Sequence, residues 1–340
     1  MTQHPEATSP ESLAAITILD GGMSRELVRI GAPFRQPEWS AYALIEAPQM
    51  VKQVHAEFAA AGADVITTNT YAIVPFHIGQ DRFWTQGRDL ANLAGQLARE
   101  AVAEAMAETG HARKVAGSIP PVFGSYRPDL FRPEDAPDIL TVLIEGLSPH
   151  VDIWLAETQS SLAEIRAIRT ALGNDPRPFW ISFTLDDDDE HTANAIAGTE
   201  EPRPRSGESL AEIVAWAQEA GVAALLFNCS EAEIMETAIR RVKDLAPNLE
   251  VGVYANAFVP ETKKMAANTG LCDIRDDLTP KAYLAFARRW VDAGATIVGG
   301  CCGIGTAHIA RLREVREVRS ERIGPLPLIM RRPHLAAHRR

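Results

Sequence analysis

The chain has 340 residues, of which 46% are hydrophobic and 23% are charged, as is typical of a globular protein with a large core. Its 45 acidic residues outnumber its 34 lysines and arginines, and the formal net charge of −11 argues against a nucleic-acid partner. The polar N-terminal segment has no signal-peptide pattern, and no apolar run is long enough to span a bilayer, so we expect no membrane partner.

Short apolar segments alternate along the chain with segments whose apolar residues recur at helical spacing. The first, Ile16–Leu19, ends in a tight turn at Asp20-Gly21-Gly22. Eight strands are predicted to start near positions 16, 64, 115, 152, 180, 223, 251 and 296. The main helices predicted between and after them are Pro48–Ala61, Gln86–Glu108, Pro133–Leu147 (interrupted early at Pro137), Ser161–Leu172, Ser209–Ala220, Glu231–Leu245, Pro280–Ala293 and one opening near Thr306.

Continuous apolar strands separated by helices indicate a parallel sheet that is buried on both faces. Eight βα units over roughly 300 residues favour a single-domain α/β fold, the (β/α)₈ TIM barrel, over an open doubly wound sheet. The turn after the first strand also lacks the G-x-G-x-x-G fingerprint of a dinucleotide-binding sheet. We predict the barrel over residues 13–322, between a disordered N-terminus (1–12) and a disordered basic tail (323–340).

Besides the N-terminal segment 1–12, two further segments fall outside the βα pattern. A long surface loop is predicted from Asp186 to Arg205, and its acidic run is interpreted as a solvated face. The basic C-terminal tail is interpreted as a solubilising segment rather than a binding one.

In a barrel of this type, the reactive groups lie at the carboxyl ends of the strands. Cys229 follows the sixth strand, and Cys301 and Cys302 follow the eighth, so three of the four cysteines are predicted on this rim. The other polar residues predicted there are Asp20, Asn69, Thr70, Ser118, Glu157, Asp186, Asn228 and Asn256. Cys272 is expected off the strand ends, as a small core residue. Since these cysteines do not make a disulfide framework, we expect reduced thiols and a cytoplasmic protein.

Three thiolates on one rim indicate a zinc site, because Zn²⁺ binds cysteine sulfur in a tetrahedral shell and soft ligands disfavour Mg²⁺ and Ca²⁺. Three protein ligands leave one position open, which is the catalytic arrangement. Such a site can bind a further thiol, lower its pKa and present it as a nucleophile. Two alternatives stay open: the cysteines are core residues, or Gly299-Gly300 and Gly303–Gly305 cradle a phosphate.

Asp20 and Glu157 are acidic residues predicted on the same rim. A carboxylate pair can act as general acid and base, as in glycosidases, or bind a substrate ammonium group. For Asp20 a third interpretation is a carboxylate that caps the following helix. A zinc site with an open position favours a thiol substrate. If that substrate also carries an ammonium group, the two carboxylates are suited to bind it.

The sequence resembles one known family, the zinc-dependent homocysteine S-methyltransferases. The family includes S-methylmethionine- and betaine-using enzymes and the homocysteine module of cobalamin-dependent methionine synthase. The segments that carry the resemblance are Leu19–Met23, Ala63–Tyr71, Ala156–Thr158, Asn228-Cys229, Tyr254–Ala257 and Gly299–Gly303. They occur in the family's order and span nearly the whole chain.

The resemblance implies zinc on Cys229, Cys301 and Cys302, with the sulfur of homocysteine at the open position. It implies that Asp20 and Glu157 hold the homocysteine amino group, and that amides near Gly21 and Gly22 meet its carboxylate. Asn69 and Asn256, within matching segments, are predicted as further substrate-binding residues. The implied reaction is an in-line transfer of a methyl group from a small donor, S-methylmethionine or S-adenosylmethionine, to give methionine.

The donor side departs from the family pattern, because Gly117–Pro121 (Gly-Ser-Ile-Pro-Pro) lacks the glycine often found at that bend. Aromatic faces near the site would attract a cationic donor. The candidates are Tyr71, Phe76, Phe123, Tyr126 and Phe258. Open alternatives are a betaine enzyme, a methyltransferase for another thiol or selenol, and a non-catalytic zinc thiol-binding barrel. A homo-oligomer also stays open.

Overall fold

The computed structural model describes residues 16–259 and 272–316, so the predicted disordered segments 1–12 and 323–340 lie outside the described residues. Eight strands form one sheet in the order β1-β8-β7-β6-β5-β4-β3-β2, and all paired neighbours are parallel. The strands are β1 (Thr17–Ile18), β2 (Val65–Thr67), β3 (Lys114–Ile119), β4 (Ile153–Gln159), β5 (Phe179–Phe183), β6 (Ala224–Asn228), β7 (Glu250–Tyr254) and β8 (Ile297–Val298). The predicted α/β (β/α)₈ barrel is confirmed.

Helices surround the sheet, and the longer ones each bury an apolar face. They are α1 (Met23–Arg29), α2 (Ser40–Glu46), α3 (Pro48–Ala61), α4 (Pro75–Ile78), α5 (Gln80–Thr109), α6 (Ala136–Leu147), α7 (Leu162–Leu172), α8 (Asp189–Ala197), α9 (Leu210–Glu219), α10 (Ala232–Leu245), α11 (Pro280–Asp292) and α12 (Thr306–Leu312). A short 3₁₀ turn covers Pro128–Leu130. None of the helices in the described part of the chain has the length and apolar character needed to cross a membrane.

The seam between β1 and β2 closes the barrel with little strand pairing. One backbone bridge joins Leu19 to Val65. Two carboxylates supply further hydrogen bonds: Asp64 Oδ2 accepts the Ile18 amide (2.7 Å) below that bridge, and Asp20 Oδ2 accepts the Thr67 amide (2.7 Å) above it. Side chains therefore replace part of the strand ladder at this seam.

Several predicted boundaries were wrong. The helix α5 begins at Gln80 rather than near Gln86, and α6 begins at Ala136 rather than Pro133. Pro137 lies in the first turn of α6, where its missing amide costs nothing, so it does not interrupt the helix. The short helices α1, α2 and α4 were not predicted, because each has too few turns to show a period.

The predicted surface loop Asp186–Arg205 is also corrected, because it contains the helix α8, capped by the Asp188 side chain. The acidic run is not wholly solvated: Asp187 is buried and its Oδ1 accepts a hydrogen bond from Arg205 Nη2 at 2.6 Å. We call residues 184–207 the β5 excursion. A bridge between Leu185 and Pro204 closes its base.

Candidate metal and substrate site

Cys229, Cys301 and Cys302 converge at the carboxyl ends of β6 and β8, and we call them the trithiol cluster. Their sulfur atoms all lie within 4.8 Å of one another, and Cys229 Sγ is 3.8 Å from Cys302 Sγ. Two sulfurs bound to one tetrahedral Zn²⁺ at about 2.3 Å would be about 3.8 Å apart. The donor set and its spacing therefore fit a metal ion that prefers soft ligands.

The electrostatics of the cluster favour ionisation of one of its three thiols. Hydrogen bonds from the Cys301 and Cys302 thiols, and one from Tyr126 Oη at 3.0 Å, hold the pKa of Cys229 well below its usual range. Donation to Cys229 raises the pKa of Cys301 and of Cys302. Cys229 is thus the thiol that ionises first, and metal binding would displace the protons of the other two.

A bulge at the end of β4 aims Glu157 into the barrel. The pairing of β4 with β5 shifts between Ala156 and Gln159, and Thr158 has a positive φ of 57°. Such bulges occur beside active sites because they redirect a side chain. Ser118 Oγ, from β3, donates to Glu157 Oε2 at 2.6 Å and fixes the carboxylate.

The side chain of Asn228 holds this bulge in place. Its Oδ1 accepts hydrogen bonds from the Thr158 amide (3.1 Å) and from Ser182 Oγ (2.7 Å), while its Nδ2 donates to Thr158 Oγ1 (2.7 Å). The same Nδ2 lies 3.9 Å from Cys301 Sγ. Asn228 therefore links β4, β5 and β6 directly beneath the trithiol cluster.

Asp20 and Glu157 are two acids that line the same cavity. Burial raises the pKa of Asp20 to about 8, against hydrogen bonds from Thr67 that lower it, and the nearby Glu157 raises it further. Burial also raises the pKa of Glu157 to about 7, opposed by the hydrogen bond from Ser118. A cation bound between them would release their protons, so the pair is suited to an ammonium group.

Glycines allow the turn after β1 to pack closely against the loop after β8, which holds Cys301 and Cys302. A Cβ at Gly22 would lie 2.6 Å from the Cys301 carbonyl oxygen, and one at Gly21 would lie 2.3 Å from that of Ile304. The Gly22 amide donates to the Ile304 carbonyl oxygen at 2.9 Å. That amide is therefore already engaged, and Gly22 serves the close approach of the two loops.

Asn69 and Asn256 both border the cavity. Asn69 Nδ2 donates to the Ser40 carbonyl oxygen (3.2 Å), and Asn256 Oδ1 accepts the Phe258 amide (3.2 Å). Asn256 Nδ2 lies 4.0 Å from Cys229 Sγ. Both amides thus have structural partners, and their roles as substrate ligands stay predictions.

The cavity over the cluster has a volume of about 270 Å³ and contains the trithiol cluster, Asp20 and Glu157. Of the predicted aromatic residues, Tyr71, Tyr126 and Phe258 line it. Phe76 lies at the surface, and Phe123 packs under Arg132, with the guanidinium carbon 4.0 Å from the ring centroid.

Several residues that line the cavity were not foreseen from the sequence, among them one cysteine and two arginines. Cys272, expected in the core, is partly exposed and borders the cavity. Arg25 and Arg205 also line it. No sequence signal distinguished these arginines, because an isolated arginine in a helix or loop is ordinary surface composition.

The fold and the site together define a (β/α)₈-barrel protein with a three-thiol cluster that could hold a metal ion. A family model described as homocysteine S-methyltransferase matches residues 17–316. The homocysteine S-methyltransferase of Escherichia coli (strain K12) is 30% identical over 321 residues, covering 88% of this chain and 94% of that protein. Homocysteine S-methyltransferase YbgG of Bacillus subtilis (strain 168) is 30% identical over 315 residues, covering 84% and 90%.

The metallated form of the homocysteine methyltransferase MmuM from Escherichia coli has a similar structure, with a TM-score of 0.70 and 28% identity. The match covers 88% of this chain and 96% of that one. The chain therefore belongs to the homocysteine S-methyltransferase family.

Proposed function

We propose that the protein transfers a methyl group to homocysteine and so forms methionine, with S-methylmethionine or S-adenosylmethionine as the donor. The observation that carries this proposal is the trithiol cluster in the same cavity as Asp20 and Glu157. A soft metal site and an ammonium site in one cavity match the two ends of an amino acid that bears a thiol.

We assign zinc to the trithiol cluster on the chemistry of its ligands and on the 3.8 Å spacing of Cys229 Sγ and Cys302 Sγ. When bound, zinc would lower the pKa of a fourth thiol and hold it as a thiolate at neutral pH. The hydrogen bond from Tyr126 Oη to Cys229 Sγ would moderate the negative charge of the ligand set.

The chain's own residues then orient the acceptor. Asp20, fixed by Thr67, and Glu157, fixed by Ser118, would bind the homocysteine ammonium group from two sides. Their raised pKa values fall once that cation is bound, so both become ionised in the complex. We infer that Gly21, Asn69 and Asn256 border the bound amino acid, and that Gly22 acts by allowing the close approach described above.

In the transfer step, the thiolate of homocysteine attacks the donor's methyl carbon in line with the departing sulfur. A new carbon–sulfur bond forms as the old one breaks, and the electron pair of the broken bond stays on the donor sulfur. The sulfonium therefore leaves as a neutral thioether. Because no proton moves in this step, alignment in a cavity that excludes water is what the protein supplies.

A methyl-donor panel tests the proposal. Zinc-loaded protein is incubated with homocysteine and either S-methylmethionine, S-adenosylmethionine or betaine, and methionine is quantified by mass spectrometry. We expect methionine with a sulfonium donor, and loss of at least about 100-fold in rate in Cys301→Ala. Methionine from betaine alone would favour the betaine alternative. No product with any donor, although homocysteine binds, would favour the non-catalytic thiol-binding alternative.

Acceptor choice is tested in the same assay by replacing homocysteine with cysteine and with selenocysteine. We expect homocysteine to be preferred, because its longer side chain allows sulfur to reach the trithiol cluster while the ammonium group reaches Asp20. A preference for the selenol would favour the selenol methyltransferase alternative. Cytoplasmic localisation and a homo-oligomeric state stay predictions.

A further inference from the structure

Arg205 enters the cavity from the β5 excursion on a rigid support. The Asp186 amide donates to the Arg203 carbonyl oxygen (2.9 Å), and the Ser206 amide donates to the Ser160 carbonyl oxygen (3.1 Å). These bonds, with the Leu185–Pro204 bridge, fix the backbone on either side of Arg205. The excursion thus carries one cationic side chain back over the end of β5.

The guanidinium of Arg205 is held in one orientation. Its Nε donates to Thr184 Oγ1 at 3.1 Å, and its Nη2 donates to Asp187 Oδ1 at 2.6 Å. Asp187, whose side chain is 2% exposed, also accepts the Glu231 amide at 3.2 Å. Within the described residues Nη1 makes no hydrogen bond. The Arg205 side chain is 24% exposed, and Arg205 is one of the residues that line the cavity.

The position of Arg205 relates it to the chemistry of the site. Its guanidinium carbon lies 4.8 Å from the centroid of the Tyr126 ring, whose hydroxyl is 3.0 Å from Cys229 Sγ. One aromatic ring therefore separates the guanidinium from the trithiol cluster. The end of β5 lies across an eight-stranded barrel from the end of β1, where Asp20 is.

The charge balance points to a specific kind of ligand. A lone cation here would repel a sulfonium or ammonium donor, but Asp187 offsets the charge of Arg205, which lines the cavity, and within the described residues Nη1 keeps its N–H groups unbonded. A neutral pair that presents N–H groups suits a carboxylate on a molecule that is cationic elsewhere.

We propose that Arg205 binds the carboxylate of the methyl donor, so that this enzyme selects onium donors that carry a carboxylate. This inference rests on the proposed function and names its donor class. Amino-acid sulfonium donors fit, because their positive sulfur can face the cluster while their carboxylate reaches Arg205. Onium compounds without a carboxylate would be poor donors.

Binding and kinetics with a matched analogue test this role. S-methylmethionine and its carboxamide, in which the carboxylate is a neutral amide, are compared by calorimetric titration and as donors at saturating homocysteine. We expect the wild-type protein to bind the acid about 10- to 100-fold more tightly than the amide. We expect Arg205→Gln to raise Kd and KM for the acid by a similar factor, with KM for homocysteine unchanged.

Two further variants complete the experiment. Arg205→Lys keeps the charge but not the planar fork, so we expect an intermediate loss. Arg203→Gln is the control, since Arg203 lies on the same excursion but pairs with Asp186 (3.4 Å) and does not line the cavity. We expect it to match the wild type.

Equal affinity of the wild type for acid and amide would overturn the inference even if the Arg205 variants fail to fold. A rise in KM for homocysteine alone would overturn it too, because Arg205 would then serve the acceptor. Donor binding that depends on Arg205 without methionine formation would contradict the proposed function and leave this inference standing.

Discussion

At the residue scale, Asp20 has a structural role at the β1–β2 seam and a proposed role in substrate binding. Its carboxylate accepts hydrogen bonds from the amide and the hydroxyl of Thr67, at 2.7 and 2.9 Å, and so helps to close the β1–β2 seam. It also faces Glu157 across the cavity, and burial raises the pKa of both acids. The alternative interpretation of Asp20 as a helix cap is not what is observed, because α1 has no side-chain cap.

The raised pKa values predict a pH-dependent stability for the substrate-free protein. Unfolded carboxyl groups ionise near pH 4, whereas Asp20 holds its proton in the folded state up to about 8. The folded state therefore binds more protons over this interval, and stability falls as pH rises through it. Denaturant unfolding of reduced, metal-free protein should show this fall between pH 5.5 and 8.

Asp20→Asn isolates the effect, because an amide does not titrate. Relative to the variant, the wild type should lose about 3 kcal/mol of unfolding free energy as the pH rises from 5.5 to 8. Homocysteine binding should weaken in the same variant. A pH-independent difference between the two proteins would contradict the raised pKa.

Asn228 carries a second prediction at this scale. Asn228→Ala leaves the Thr158 amide and the Ser182 hydroxyl without their acceptor in a buried place, which should cost about 2–3 kcal/mol of stability. Because the β4 bulge aims Glu157, homocysteine affinity should fall as well. Denaturant unfolding and homocysteine titration measure the two effects. The variant Asn248→Ala, at an exposed position, should change stability by less than about 0.5 kcal/mol.

At the element scale, the turn after β1 and the loop after β8 form one packed unit. Gly22→Ala would drive a methyl group to 2.6 Å from the Cys301 carbonyl oxygen and push the cysteine loop outward. We expect zinc affinity, measured by competition with a chelator, to fall about tenfold or more.

Gly31→Ala is the matched control for that prediction. Gly31 has a positive φ of 77° and open space around its Cα, so alanine there should cost about 1 kcal/mol of stability through the backbone alone. Zinc affinity should be unchanged. If both variants lose metal equally, general destabilisation rather than the packing of Gly22 on Cys301 explains the effect.

Helices with a clear apolar stripe could be predicted from the sequence, whereas the helix α8 could not. The helix α3 was predicted at Pro48–Ala61, its observed bounds, because proline opens it and Gly62 ends it in the left-handed region. The helix α8 is short, and its residues show no apolar stripe. The Asp188 cap is a local signal, but α8 also depends on its packing against α10, a long-range contact that no local pattern reveals.

At the scale of the whole molecule, the barrel depends on side chains at its β1–β2 seam. Asp64 Oδ2 accepts the Ile18 amide and pairs with Arg316, and Asp64 Oδ1 lies 2.9 Å from His111 Nε2. Asp64→Ala should therefore lower the unfolding free energy by about 2–4 kcal/mol. Because Asp64 lies at the opposite end of the barrel from the cavity, KM for homocysteine should stay within about twofold. A large change in KM with unchanged stability would contradict this separation.

Site residues that directly follow a strand could be predicted from the sequence. Site residues on segments that fold back to the strand ends could not. Cys229, Cys301 and Cys302 follow strands directly, so the barrel topology was enough to bring them together. Arg205 reaches the cavity only because the β5 excursion folds back, and the seam role of Asp20 requires knowing where β2 pairs. The raised pKa values of Asp20 and Glu157 follow from their burial in the folded protein, which a sequence motif does not encode.

X-ray absorption at the zinc edge, with and without homocysteine, tests whether the trithiol cluster holds zinc and whether that zinc binds the substrate thiol. We expect three sulfur ligands at about 2.3 Å and one lighter atom in the free protein, and four sulfur ligands once homocysteine is added. Cys301→Ala should show fewer sulfur ligands or lose the metal. A zinc shell that keeps three sulfurs and its lighter ligand at saturating homocysteine would contradict the claim that the trithiol cluster binds the substrate thiol.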